Sequence, residues 1–139
     1  KLILAVGSSQ NSKFIKDHYP EFPAHIIVEE FIPQQSLLKI ADVFINHGGM
    51  NSINEGLYFK VPQIIIPIAN DHFINAAQVE KLSYGVQVSA RKSFSFKSLI
   101  ESVHANASIR NALLAQKQIP VKGVSEIMDF IGEKLRIFN

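Results

Sequence analysis

Short apolar runs alternate with amphipathic stretches along most of the chain, and the alternation predicts strands separated by helices. Residues 2–6 are continuously apolar and are closed by Gly7 and Ser8, the pattern of a strand buried on both faces. A polar segment over 10–18 holds a short helix before Tyr19-Pro20. Residues 24–29, with Ile26-Ile27-Val28 at their centre and Pro23 marking the preceding turn, predict a second buried strand. A helix over 35–41, a strand over 42–46 and a helix over 51–59 follow, the last entered through Gly48-Gly49. The pattern then repeats with a strand over 63–67, a loop over 68–71, a helix over 73–83 and a short strand over 85–88. The tail differs: 96–103, 108–117 and 124–135 carry helical apolar spacing, with Pro120 and Gly123 between the last two. The expected fold is α/β, a Rossmann-like parallel sheet with helices on both faces and a helical C-terminal tail, in one domain over 1–139.

Composition narrows the function classes. At 139 residues, 47% hydrophobic and 19% charged, the chain suits one folded domain, and its low charge fits apolar surface kept for a partner. The net charge of +2 comes from 14 basic and 12 acidic residues, and neither Arg91-Lys92 nor Lys13-Phe14-Ile15-Lys16 is a basic run, so no nucleic-acid partner is expected. Without cysteine, disulfides, cysteine nucleophiles and thiolate metal sites are excluded, and a cytoplasmic setting is expected. The longest apolar segments fall far short of a membrane span, and the run over 2–6 is too short for a secretory leader, which makes Asn106-Ala107-Ser108 an incidental sequon. No glycine-rich dinucleotide fingerprint follows the first strand, which argues against a simple nicotinamide-cofactor domain.

Ligands of open parallel sheets bind outside the carboxyl ends of strands, and residues 46–55 hold such a position. Gly48 and Gly49 clear the way for backbone N–H groups to approach an anion, and the start of the next helix offers unpaired donors and a favourable dipole. His47, Asn51 and Ser52 add side-chain donors. Glu55, three residues beyond Ser52 on the same helix face, would repel phosphate but accept hydrogen bonds from vicinal ribose hydroxyls. Ser52-Ile53-Asn54-Glu55 equally has the form of a capping box, which needs no ligand. Both readings stay open on local chemistry. His18, His25 and His104 lie on separate segments, so no metal site is expected, and no serine nucleophile elbow is present.

The segment Phe31-Ile32-Pro33-Gln34, the run from His47-Gly48-Gly49-Met50-Asn51-Ser52 to Glu55-Gly56, Val61-Pro62 and Asp71-His72-Phe73-Ile74-Asn75-Ala76 together resemble nucleotide-sugar-dependent glycosyltransferases of the GT-B, UDP-glycosyltransferase-like type, nearest to the bacterial macrolide glycosyltransferases. The likeness covers about residues 31–88 in the family's order and spacing. It implies that Phe31 stacks on the base, Ile32 pairs with the base edge through its backbone, and Gln34 contacts the nucleoside. It further implies diphosphate contacts from His47, Asn51 and Ser52 with the Gly49 backbone, ribose contacts from Glu55, and contacts to the transferred sugar from Asp71 and His72. Phe31 stands where Trp is commoner and His72 where Gln is usual, so the donor hexose is left open. Asn75 is read as structural, bonding loop backbone.

What the resemblance implies for function is a donor-binding domain of an inverting enzyme that transfers a hexose from a UDP-sugar to a hydroxyl of a small lipophilic acceptor, with no other cofactor. An N-terminal domain outside this chain would supply acceptor contacts and the activating base, leaving no catalytic residue here. The family's C-terminal domain starts with a strand and helix upstream of the segment matching 2–6, so the chain is expected to be an incomplete domain, inactive alone and prone to self-association through open strand edges. A non-catalytic nucleotide- or carbohydrate-binding module, or a structural α/β interaction domain, is the alternative.

Overall fold

The computed structural model describes residues 1–19, 21, 23–91 and 93–117; the helix expected over 124–135 lies outside these. Five strands and six helices alternate along them: β1 (Leu2–Ala5), α1 (Ser9–His18), β2 (Ile26–Glu29), α2 (Gln34–Leu38), β3 (Phe44–Asn46), α3 (Met50–Tyr58), β4 (Gln63–Ile65), α4 (His72–Lys81), β5 (Gly85–Gln87), α5 (Phe96–Ala105) and α6 (Ala107–Ala115). Every expected element within the described residues is present, with ends that coincide or shift by up to three residues. Helix starts follow local capping chemistry: the Ser8, Ser95 and Asn106 side chains accept from the N–H groups of Asn11, Ser98 and Ile109.

All pairing is parallel, yet the strands form two sheets, β1-β2 and β3-β4-β5. In a doubly wound sheet of order 3-2-1-4-5-6, strands 3-2 and 4-5-6 would pair as observed here, and strand 1 would lie between them. Among the described residues no strand pairs with the outer edge of β1 or of β3. This also corrects the reading of the first two apolar runs as strands buried on both faces. Exposure alternates along β1 and β2, with Ile3 and Ile27 each more than a third exposed, because one face of this two-stranded sheet has no covering layer among the described residues.

The core is centred on β4, the middle strand, whose successive side chains point to opposite faces. Ile65 packs with Ile53 of α3 and Ala76 and Val79 of α4, whereas Ile64 packs with Val103 of α5 and Ile109 and Leu113 of α6. Each fully buried aliphatic side chain contributes about 1.5–3 kcal/mol. Helices therefore do cover both faces of the three-stranded sheet, and the C-terminal helices α5 and α6 are one of those layers.

Gln63, at the start of β4, is fully buried and polar. Its Nε2 donates to the Ile53 carbonyl at 3.1 Å, and its Oε1 accepts from Asn46 Nδ2 at 2.9 Å. Room for it exists because Gly56 lies directly above: a Cβ there would sit 2.7 Å from the Gln63 amide. Gln63→Leu keeps the volume but leaves the Asn46 amide without its acceptor and removes the second hydrogen bond to the Ile53 carbonyl, and the expected cost is about 1–3 kcal/mol. Chemical denaturation of the two proteins measures it, with Gln63→Glu as the near-isosteric comparison.

Candidate functional site

Beyond β3 the chain makes a turn that few sequences could follow. Gly48 has φ +94°, and a Cβ at this position would lie 3.0 Å from both the His72 carbonyl oxygen and Ile65 Cγ2. Glycine is therefore required both for the backbone angle and for the close approach. The turn is held from two sides: Asn46 Oδ1 accepts from the Gly48 N–H at 2.9 Å, and Asn75 Nδ2 donates to the Gly48 carbonyl at 3.0 Å. The same Asn75 amide donates to Asp71 Oδ2 at 2.9 Å. Asn75 thus takes the loop-bonding role its position suggested.

The turn leads straight into α3. Gly49 is the N-cap residue, in extended conformation and with no side chain to cap the helix, and the first helical bond runs from the Ile53 N–H to the Gly49 carbonyl at 3.0 Å. The N–H groups of Met50, Asn51 and Ser52 precede that bond and point out of the helix end, where the dipole adds partial positive charge. His47 lies across this end, its Nε2 2.6 Å from where a Gly49 Cβ would be, so the bare Cα is what admits the imidazole. The His47 and His72 rings meet edge to face at 4.6 Å between centroids. His72 Nδ1 is buried and has no hydrogen-bond partner among the described residues. Asp71 precedes α4 but does not cap it through its side chain, its carboxylate being turned to Asn75.

The capping-box reading of Ser52 and Glu55 is overturned by where the helix begins. With Gly49 as N-cap, Ser52 is the third helical residue and Glu55 the sixth, in the second turn, too far along to reach the N-cap N–H. The Glu55 carboxylate instead faces α2: Gln34 Nε2 donates to Oε2 at 2.6 Å and Gln35 Nε2 to Oε1 at 3.0 Å. Above them opens a groove of about 650 Å³, lined by Phe31, Ile32, Gln34, Gln35 and Glu55 together with the loop after β1. Phe31, 86% exposed, presents an unpartnered aromatic face to it.

The ten residues expected at the site therefore fall into two adjoining groups. Phe31, Ile32, Gln34 and Glu55 gather at the groove, whereas His47, Gly49, Asn51, Ser52, Asp71 and His72 gather around the N-terminus of α3 and the start of α4. Helix α3 joins them, since three residues of helix advance about 4.5 Å from Ser52 to Glu55. Sequence reasoning missed Gln35, Asn46 and Gln63. Only the placement of Asn46 just before the glycine pair hinted at a turn-bonding amide. Among the described residues no Lys or Arg lines the groove, and no group of three or more His, Cys, Asp or Glu is arranged to hold a metal ion. Among them too, no helix is long and apolar enough to cross a membrane.

Two substitutions test this local account. Ser52→Ala is expected to change folding stability by no more than about 0.5 kcal/mol, where loss of a true cap costs about 1 kcal/mol. Gly48→Ala is expected to destabilise by about 1–3 kcal/mol through its positive φ and the His72 carbonyl contact. Thermal and urea unfolding of both variants supply the comparison.

Residues 10–117 match the model of the erythromycin biosynthesis protein CIII-like C-terminal domain family. The uncharacterized UDP-glucosyltransferase YojK of Bacillus subtilis (strain 168) is 35% identical over 119 residues, covering 86% of this chain and 28% of that protein. Another, YdhE of the same organism, is 35% identical over 145 residues, covering 100% of this chain and 35% of YdhE. The chain thus spans roughly a third of the length of these two relatives. Among solved structures, the glycotransferase of kitacinnamycin superposes with a TM-score of 0.64 at 30% identity over 68% of this chain and 25% of that one. The open helix end, the carboxylate-lined groove, the two-faced parallel sheet and these likenesses agree: the chain belongs to the erythromycin CIII-like C-terminal domain family, the GT-B-type C-terminal domain of UDP-glycosyltransferase-like proteins related to bacterial macrolide-associated glycosyltransferases.

Proposed function

We propose that the chain is the donor-binding part of an inverting glycosyltransferase that transfers a hexose from a UDP-sugar to a hydroxyl of a small lipophilic acceptor. The observation that carries this reading is the uncapped N-terminus of α3, with three N–H groups free of intrahelical partners, set one helical turn from the Glu55 carboxylate. Diphosphate at the helix end and ribose at Glu55 would satisfy both. His47, Asn51 and Ser52 would add donors to the diphosphate, whose charge grows as the sugar bond breaks, so these contacts serve the transition state as well as binding. Phe31 offers the uracil an exposed ring, Ile32 its backbone, and Gln34 an amide near the nucleoside. UDP as the nucleotide is supported by the naming of YojK and YdhE as UDP-glucosyltransferases. Asp71 and His72 would contact the hexose, and His72 Nδ1, which has no hydrogen-bond partner among the described residues, supports that role.

The strand pairing supports a larger parent. A strand between β1 and β3 would complete the 3-2-1-4-5-6 order, and we assign the acceptor-binding domain and its base to a part of the parent enzyme outside these 139 residues. On this reading the 139 residues bind donor but do not turn it over.

Titration calorimetry with UDP tests the assignment. The chain is expected to bind UDP, and Glu55→Ala and His47→Ala, folded as the parent is, to bind about tenfold or more weakly, the scale of a lost hydrogen bond to a charged group. Wild-type affinity in both variants would remove the donor site from this position.

A further inference from the structure

We infer that Gln35 is a positioning residue for the ribose: it holds the Glu55 carboxylate so that the site distinguishes a ribonucleoside diphosphate from its 2′-deoxy counterpart. The inference rests on the donor-site reading above and goes beyond it, since nothing in that reading gives Gln35 a role.

A glutamate side chain at the rim of a groove is long and free to rotate, and fixing it costs rotamer entropy. Glu55 is half-buried and its carboxylate is already fixed, because each oxygen accepts from a different glutamine, Oε2 from Gln34 and Oε1 from Gln35. A carboxylate offers about four lone-pair positions. Two are taken by the amides, one on each oxygen, which leaves one on each oxygen for a ligand. Two acceptors on neighbouring oxygens of one rigid plane match a vicinal diol, whereas a 2′-deoxyribose has a single hydroxyl to offer and leaves one of them unmet.

The two glutamines are not equivalent. Gln34 shares the groove with Phe31 and Ile32, on the path of the base, and a bound nucleoside competes for its amide. Gln35 is the next residue along α2, so its side chain leaves the helix about 100° away from that of Gln34. Its bond to Oε1 can persist when Gln34 turns to the nucleoside, and it then becomes the one contact from α2 that keeps the carboxylate plane in place. Gln35 is exposed and contributes nothing to the buried core, so removing it should change orientation rather than folding.

The experiment uses the 139-residue chain with UDP and 2′-deoxy-UDP, whose base and diphosphate are the same. Wild type is expected to bind UDP more tightly than 2′-deoxy-UDP by about tenfold. Gln35→Leu, with unchanged thermal midpoint, should weaken UDP by about fivefold while leaving 2′-deoxy-UDP within twofold. Gln35→Glu, which replaces the donor with a second carboxylate, should weaken UDP further, and Gln35→Lys, which restores a donor, should recover most of the preference. Without ligand, the Gln35 side-chain amide signal in a nitrogen-15 spectrum should move in Glu55→Gln. A preference for UDP that survives Gln35→Leu, or an equal loss for both nucleotides, overturns the role of Gln35 while leaving the donor site standing. Failure of wild type to bind either nucleotide overturns the donor site and the role of Gln35 with it.

Discussion

The geometry of the helix end depends on a line of carboxamides that begins in the hydrophobic core. Gln63 is clamped between β4 and α3, donates to the Ile53 carbonyl and accepts from Asn46. Asn46 uses its own oxygen on the Gly48 N–H, and the Gly48 carbonyl is taken by Asn75. Each amide carries a donor and an acceptor, so one can satisfy a neighbour on each side, and a chain of them transmits position without leaving a buried polar atom unpaired. The consequence is selective. The polar groups of Gly48 are consumed by the fold, while the N–H groups of Met50, Asn51 and Ser52 immediately after it are left for something outside.

The same turn explains why the glycines lie where they do. Gly48 lets the backbone pass His72, Gly49 lets the His47 ring lie over the helix start, and Gly56 makes the space that Gln63 fills. Each absent side chain is matched by a particular neighbour. At the other side of α3, Glu55 connects through Gln34 and Gln35 to α2, which follows the two-stranded sheet. These side-chain bonds link the β1–β2 part of the molecule to the β3–β5 part across edges that carry no strand pairing with one another. The groove forms where the two parts meet, and the Glu55 carboxylate faces it.

Much of the architecture was legible in the sequence because its signals are local. Apolar runs bounded by Gly and Pro marked the strands, Gly48-Gly49 and Pro62 bounded α3, and helical apolar spacing marked α5 and α6. The division into two sheets was not legible, since which strands pair depends on edges that no local pattern describes. For the same reason, the apolar runs at β1 and β2 suggested burial on both faces, yet a continuous apolar run records a strand's preference and not whether a layer covers it. The capping-box pattern misled differently. Ser52 and Glu55 have the right spacing, but the helix is entered at Gly49, three residues before Ser52, and a box works only at the N-cap. Gln35, Asn46 and Gln63 escaped notice because an amide side chain has no distinctive sequence context; the side chains they meet, Glu55 for Gln35 and each other for Asn46 and Gln63, lie 20 and 17 residues away in the chain.

The central claim is that the N-terminus of α3 receives a diphosphate, and backbone amide signals report it directly. In a nitrogen-15 titration with UDP, the amides of Gly49, Met50, Asn51 and Ser52 should show the largest shifts, saturating together with those of the His47 ring, and uridine without phosphate should leave them nearly unmoved. Equal shifts with uridine and UDP, or movement confined to residues away from this helix end, would contradict the account.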